Sequence, residues 1–525
     1  MTSVGPRLPL VTLPTDPNPA KLHSNHRFAP PPLDRNSPDW QRLDAKIPDN
    51  HLARQIDQAV DQLDLTALFN AYKGRGSTPY RPDLLLKVVL YELQRKRGSP
   101  AQWHEDLLLD EACQWLACGI RPGRSRLYAF RDRLGPLLDG LHNGVIAAAV
   151  TEVLTDASQA SLDGSTVAAN GSRHRLLNED SLSKREQALA EVTAADKAAT
   201  QTEALPAWMA TTPAGRQEQQ QRYAKAHDIL SERLRLNQQR PASKRLAAKH
   251  VRVSPGDPQA ALGLDKFKVF RPLYNVQVMP DLNSPLVLAY EVFAQATDAG
   301  TLPTMLDRCR TATGRALKDL LADAGYATAL DLAACEKASV TLYAPYQEND
   351  VSARRRQEKR PKQIPKEAFQ WQEQEQVYVC PEGHRLEQEY SEVVRRKGEE
   401  RLRVFTYRCP AEYCQNCPRQ KECARSPERG RTIKRSEYEE LVEALKERMQ
   451  TVGAKKLYKR RCQTVELSFA DSKEHRGLRR FSGHGQKRAR IEVGLVVLAH
   501  NLLAVLKLRE QRRTATNATH HPSPT

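Results

Sequence analysis

The spacing of apolar and polar positions divides this chain into a helical first part and a mixed second part. From about 49 to 155, apolar residues recur at helical spacing in AVDQLDLTALFNAY, PDLLLKVVLYELQRK and SPAQWHEDLLLDEACQWLACG. Pro82 stands at a helix start, and Gly74, Gly76, Gly98 and Gly119 mark breaks. RPGRSRLYAFRDRLG adds a short helix with Arg124, Arg126, Arg131 and Arg133 around Tyr128 and Phe130. It is read as a helix-turn-helix element meeting DNA. The competing reading puts both aromatics in the core and the arginines on a solvated face.

Beyond 155 the period changes. ASLDGSTVAAN is a short strand ending at Asp163, although Asp-Gly also supplies ordinary turns. From Asn178 to Gln239 the chain is charged, helical and almost without long apolar stripes, so it reads as an inserted arm broken between Pro206 and Pro213. PLYNVQVMPD and SPLVLAYEVFAQ make a hairpin-like strand pair. After a helix over TLPTMLDRCRTATG, the apolar run in LKDLLADAGYAT ends at Asp323 and is closed by Gly325. SVTLYAPY is a further strand. VELSFADSKEHRG reads as helix, with Glu466 and Lys473, seven apart, on one face. The plan is α/β, with Asp163, Asp323 and Glu466 at element edges.

Charge sharpens this plan. The 525 residues allow roughly three to four domains. They carry 81 basic against 63 acidic residues, a pI near 9.5, which favours nucleic acid or an anionic surface over a small metabolite as partner. Lys455 to Arg490 holds twelve Lys and Arg against Glu466, Asp471 and Glu474, a net +9 that is half of the chain's +18. Glu466 therefore lies in the densest positive field of the sequence. Ion pairing on a solvated face and metal ligation beside a bound phosphate both explain it.

The N-terminus lacks a signal-peptide pattern, and the Pro-rich chain to about Pro38 reads as flexible. The longest apolar run, Val493 to Leu506, is short for a membrane span and contains His500 and Asn501, so a buried helix and no membrane are expected. Ten cysteines without an export signal point to thiols or a metal site, and to the cytoplasm of a bacterium, near the nucleoid.

Five of those cysteines, Cys380, Cys409, Cys414, Cys417 and Cys423, crowd into 44 residues after the basic linker RRRQEKRPK. The Cys414-Gln-Asn-Cys417 spacing suits a structural zinc held by Cys380, Cys414, Cys417 and Cys423, with Cys409 as substitute and His384 as a lesser ligand. The three carboxylates suit a different metal. Mg²⁺ prefers oxygen ligands, and a pair of ions roughly 3.5–4 Å apart clamps the attacking and leaving oxygens of a phosphodiester. Lys473, Tyr458 and Arg461 would then position phosphate. His475 and Arg476 are divided between phosphate contact and a solvated face, and Asn275 and Gln277 between support for the acids and DNA contact. His104 and His500 are read as satisfied histidines rather than ligands.

These residues together resemble the DDE transposases of bacterial insertion sequences, in the group whose last acid lies in a Tyr, Arg, Glu, Lys signature. Here the signature reads Tyr458, Arg461, Glu466, Lys473, followed by RGLRRFSGHGQKRARIEVGLVVLAHNLL. LDGSTVAAN is similar to the family's first-Asp motif, YNVQV to its second strand, ADAGY to its second-Asp motif, and the Cys-bearing insertion to one subgroup. The likeness covers roughly 45 to 507. One residue more lies between Arg461 and Glu466 than in the commonest form, and Met279 replaces a smaller apolar residue.

The resemblance implies an RNase H-like mixed-sheet core with an all-α N-terminal domain and an inserted Cys-rich region. It also implies two Mg²⁺ ions, double-stranded DNA as substrate and target, a homodimer bridging two element ends, and hydrolysis followed by 3′-hydroxyl attack without a covalent protein intermediate. The expected layout is a flexible segment 1–40, a helical DNA-binding domain 41–155, and a core from 156 to 345 carrying an insertion at about 176–250. The Cys-rich insertion 346–450, the core helices 451–508 and a flexible tail 509–525 follow. A zinc-containing DNA-binding protein without catalysis, and a nuclease that cuts without joining, are the alternatives.

Overall fold

A computed structural model describes residues 28–72, 77–197, 205–240, 242–346, 364–395, 401–424 and 426–519. Gly74, Gly76 and the basic linker lie outside the described residues. The chain forms two compact units. The first comprises Met1–Thr297, Asp307–Arg315 and Cys462–Thr525, and the second Asp298–Leu306 and Ala316–Arg461.

The first unit begins with helices that the apolar spacing predicts. Pro82–Gln94 starts on Pro82 and is buried on nearly every face, as its run of Leu and Val demands. Its one internal cation, Lys87, is 2% exposed and is answered by Asp57 at 2.6 Å. Pro100–Leu109 opens with a capping box of Ser99 and Gln102, which satisfies backbone N–H groups that lack helical partners. Order starts earlier than the expected flexible segment allows. Phe28 packs edge-on to Phe69 and Tyr72, and Arg35 pairs with Asp57 at 2.6 Å.

Strand β1 (Gln159–Ala168) pairs antiparallel with β3 (Phe270–Pro280), which also pairs with β2 (Ala261–Leu264) and β4 (Val287–Phe293). The arm between β1 and β2 is less bare of apolar residues than its composition suggests. Helices Glu179–Lys197 and Pro213–Gln238 close over Leu182, Leu189, Tyr223, Ala226 and Leu230, a small core of their own.

The helix Gln486–Thr519 binds this unit together, packing on β3, β4 and four N-terminal α-helices. It extends ten residues past 509, where a flexible tail was expected. By length and composition it could cross a membrane, so shortness does not exclude a span, but 72% of its apolar window is buried within the unit. Two residues explain the close packing. Gly494 has no side chain where a Cβ would meet the Tyr290 hydroxyl at 2.5 Å, and the Asn501 amide bonds both the N–H and C=O of Val287 at 2.9 Å.

In the second unit, β5 (Asp319–Ala322) runs parallel to β6 (Thr341–Tyr343). A separate antiparallel sheet joins β7 (Gln370–Gln372), β8 (Val377–Val379), β9 (Arg385–Arg395), β10 (Arg401–Arg408) and β11 (Thr432–Ser436) in the order β11-β10-β9-β8-β7. Phe369, Tyr378, Leu386, Tyr407 and Ile433 form its core.

Candidate active site

Within the first unit, β1 places Ser161, Asp163 and Ser165 on one face, because alternate side chains of a strand point the same way. The Ser161 hydroxyl lies 2.7 Å from the Thr464 hydroxyl, and the Lys473 ammonium donates to the Ser165 hydroxyl. Asp163 is thus bracketed by two ties to the segment that carries Glu466. Asp163 is half-buried, with one carboxylate oxygen accepting its neighbour Gly164 N–H at 2.8 Å, and Glu466 is exposed.

The segment carrying Glu466 and Lys473 is helical, as expected, but not α throughout. Cys462–Glu466 and Asp471–His475 are π turns. Such a turn takes up an extra residue without ending a helix, and the additional residue between Arg461 and Glu466 falls in the first of them. Seven-residue α spacing therefore no longer describes Glu466 and Lys473. Lys473 is 9% exposed, and burial, with Lys266 and Arg479 nearby, pushes its ammonium down to about 8 against the pull of Asp163. Its ammonium also stands 5.6 Å from the Phe469 ring centroid.

Asp323 belongs to the second unit. It follows β5, and its carboxylate accepts the Gly325 N–H at 2.7 Å to cap the turn Ala324–Tyr326. Tyr458 and Arg461 also lie in this unit, on the helix Val452–Arg461, and both are half-buried.

Several expected contacts are corrected by burial. Asn275 and Gln277 are 1% and 0% exposed, bond to each other at 3.1 Å, and occupy the face of β3 opposite Asp163's partner Val278. They are therefore not exposed for contact with DNA. Arg131 is 2% exposed, binds Asp132 at 3.1 Å and lies over Tyr128, so it cannot present its guanidinium to DNA. Arg124 and Arg126 remain exposed, and Arg126 donates to Ser77 at 3.0 Å. Arg476 is neither solvated nor free for phosphate, since it is 9% exposed and binds Asp471 at 2.7 Å. His475 is exposed. His104 and His500 bond the carbonyls of Pro122 and Pro285 at 3.0 and 2.7 Å, as satisfied histidines should.

The basic field itself is partly neutralised from afar. Arg488 pairs with Asp132, and Arg490 with Asp139 and Glu291, acids that a local count of charge leaves out. Ser161, Ser165 and Thr464 escaped the sequence reading. The alternation of SLDGS was the only signal for the two serines, and Thr464 had none beyond its polarity.

Among the described residues, no group of three or more His, Cys, Asp or Glu is set to hold a metal ion. The zinc expectation is therefore not supported among them. Cys380, Cys409, Cys414, Cys417 and Cys423 together line one cavity of about 20 Å³. Burial pushes the Cys409 thiol up to about 12, helped by its hydrogen bond with Cys414, and burial also raises Cys423. The Cys380 and Cys414 sulfurs accept the backbone N–H groups of His384 and Arg431, both at 3.3 Å. His384 stacks on Tyr413 with ring centroids 4.4 Å apart. The carboxylates differ in that Asp163 and Glu466 share a unit and Asp323 does not.

Residues 379–506 match the family of the transposase DDE domain, and residues 41–133 match a second transposase domain family, DUF772. No curated protein and no solved structure matches the chain.

Proposed function

We propose, on the premise that its two matched segments make this chain an insertion-sequence DDE transposase, that it cleaves DNA at the ends of its element and joins the freed 3′-hydroxyl to target DNA. The observation that supports this most is the pair of contacts, Ser161 to Thr464 and Lys473 to Ser165, that holds the Glu466 segment against the strand bearing Asp163. In this reading the chain has an RNase H-like core, divided in sequence as 156–345 and 451–508, and the helical 41–155 binds DNA through Arg124 and Arg126.

Asp163, Glu466 and Asp323 would hold Mg²⁺, since carboxylate oxygens are the donors this hard cation prefers. Bound there, the metal supplies a nucleophile at neutral pH and stabilises the leaving oxyanion. The chain's own residues do the rest. Gly164 fixes one oxygen of Asp163, Ser165 fixes Lys473, and the exposed cations of the signature region, with Tyr458 and Arg461, orient phosphate. The substrate is double-stranded DNA in the bacterial cytoplasm, at the nucleoid, and the working species is a homodimer.

The test supplies purified protein with labelled inverted-repeat DNA ends and Mg²⁺. Joined products are expected, and Asp163→Asn should remove them, by about 10³-fold or more, while leaving DNA retardation in place. Nicks without joining would indicate a nuclease. Retardation alone, indifferent to Asp163, would indicate a binding protein and overturn the enzyme.

A further inference from the structure

The turn joining β2 to β3 displays apolar side chains that no packing explains. Leu264, Phe267 and Phe270 are 61%, 67% and 48% exposed. Single exposed apolar residues are ordinary, but three within seven positions at one tip form a patch. Leu264 and Phe270 are opposite one another in the ladder and so share a face.

The tip is built to be stiff. The Asp265 carboxylate accepts the N–H groups of Phe267 and Val269 at 2.9 and 3.0 Å and pairs with Arg271 at 3.0 Å. Lys268 takes the left-handed conformation at φ +59° to complete the turn. An exposed aromatic on a rigid turn loses little conformational freedom when it binds.

Its surroundings are cationic. Lys266 and Lys268 are exposed, and the Lys266 ammonium stands 5.1 Å from the Phe267 ring centroid. The apolar tip therefore carries its own exposed cations. A polyanion that also offers flat apolar faces matches both features. Paired bases inside a duplex have their faces covered, whereas unpaired bases at a DNA end do not.

We propose that the β2–β3 tip is a stacking platform for unpaired bases at a DNA end, with Phe267 taking the face of a base, Phe270 and Leu264 flanking it, and Lys266 and Lys268 meeting the adjoining phosphates. This rests on the DNA-processing reading above and adds a site for the strand end to it.

The experiment uses the full-length protein, without Mg²⁺, and two probes of one sequence: a blunt duplex, and the same duplex with a single-stranded overhang carrying 2-aminopurine. Wild type should prefer the overhang and quench its fluorescence. Phe267→Ala should cut overhang affinity about tenfold and abolish quenching while leaving blunt-duplex affinity unchanged, and Phe267→Trp should restore both. Phe270→Ser should act in the same direction, and equal melting temperatures verify that each variant folds. An intact preference in Phe267→Ala, or an equal loss on both probes, would overturn the platform and leave the transposase reading standing. Conversion of a dimer to a monomer by Phe267→Ala would assign the tip to a second copy and also overturn it. Failure of wild type to bind either probe would overturn the transposase reading together with the platform.

Discussion

The Lys473 ammonium donates to the Ser165 hydroxyl, two residues beyond Asp163 on the same strand. A buried cation is thereby fastened beside a carboxylate without a full ion pair, an arrangement that costs stability and is kept for what it holds. Replacing Lys473 with Met should therefore stabilise the protein at pH 7. Its ammonium titrates near 8 instead of 10.5, so the native state binds fewer protons than the unfolded chain between those values, and wild-type stability rises with pH across that window. The gain from Lys473→Met should be about 1–3 kcal/mol at pH 7 and shrink towards pH 10.5. Urea unfolding at both pH values checks this, and strand joining should fall in the same variant.

Asp471 behaves in the opposite sense. Burial would push its carboxyl up, but His500 and Arg476 outweigh burial and hold it at about 2. The stability it contributes is complete above pH 3.8 and is lost as pH falls through about 2. Asp471→Asn should cost about 2 kcal/mol at pH 7, with the difference from wild type closing between pH 4 and 2. Denaturant midpoints over that range give the answer, and a constant difference would exclude this role for the carboxylate.

Gly494→Ala should destabilise the first unit by about 1–3 kcal/mol, because the new methyl group meets the Tyr290 hydroxyl at 2.5 Å and Leu138 at 3.1 Å. Pairing it with Tyr290→Phe, which removes the nearest atom, should recover part of the loss. Thermal melts of the two single variants and the double variant measure the coupling.

Cys462 is exposed, whereas Cys409, Cys414 and Cys423 are buried. Iodoacetamide should therefore label Cys462 first in the native protein, and label the buried three at the rate of local opening. Mass spectrometry of timed digests reports the order.

The parts that sequence revealed are those where one local signal and the packing agree. PDLLLKVVLYELQ carries a helix-starting proline and apolar residues on every face, and YNVQV and LVLAYEV have the β-branched and aromatic content of buried strands. The sheet of the Cys-bearing insertion was hidden because RLEQEYSEVVR and its neighbours carry charge on alternate residues, so the strands lack a clear apolar face. Arg131 could not be told from Arg124 or Arg126, since burial of a guanidinium depends on what folds over it. The acids proposed for the site, Asp163 and Glu466, stood out through their motifs. Thr464 and Ser165, which tie the two segments, have no signature beyond their polarity.

The C-terminal helix also sets a schedule for biosynthesis. Glu152, at the end of the N-terminal helices, is buried and is answered by Arg509 at 2.7 Å, 357 positions later. At ribosomal speeds of about 5–20 residues per second, that partner emerges roughly 20–70 s afterwards. Throughout that interval the first helices must wait with the wall of their core missing, exposed to chaperones, and this unit can close only after Arg509 has left the ribosome.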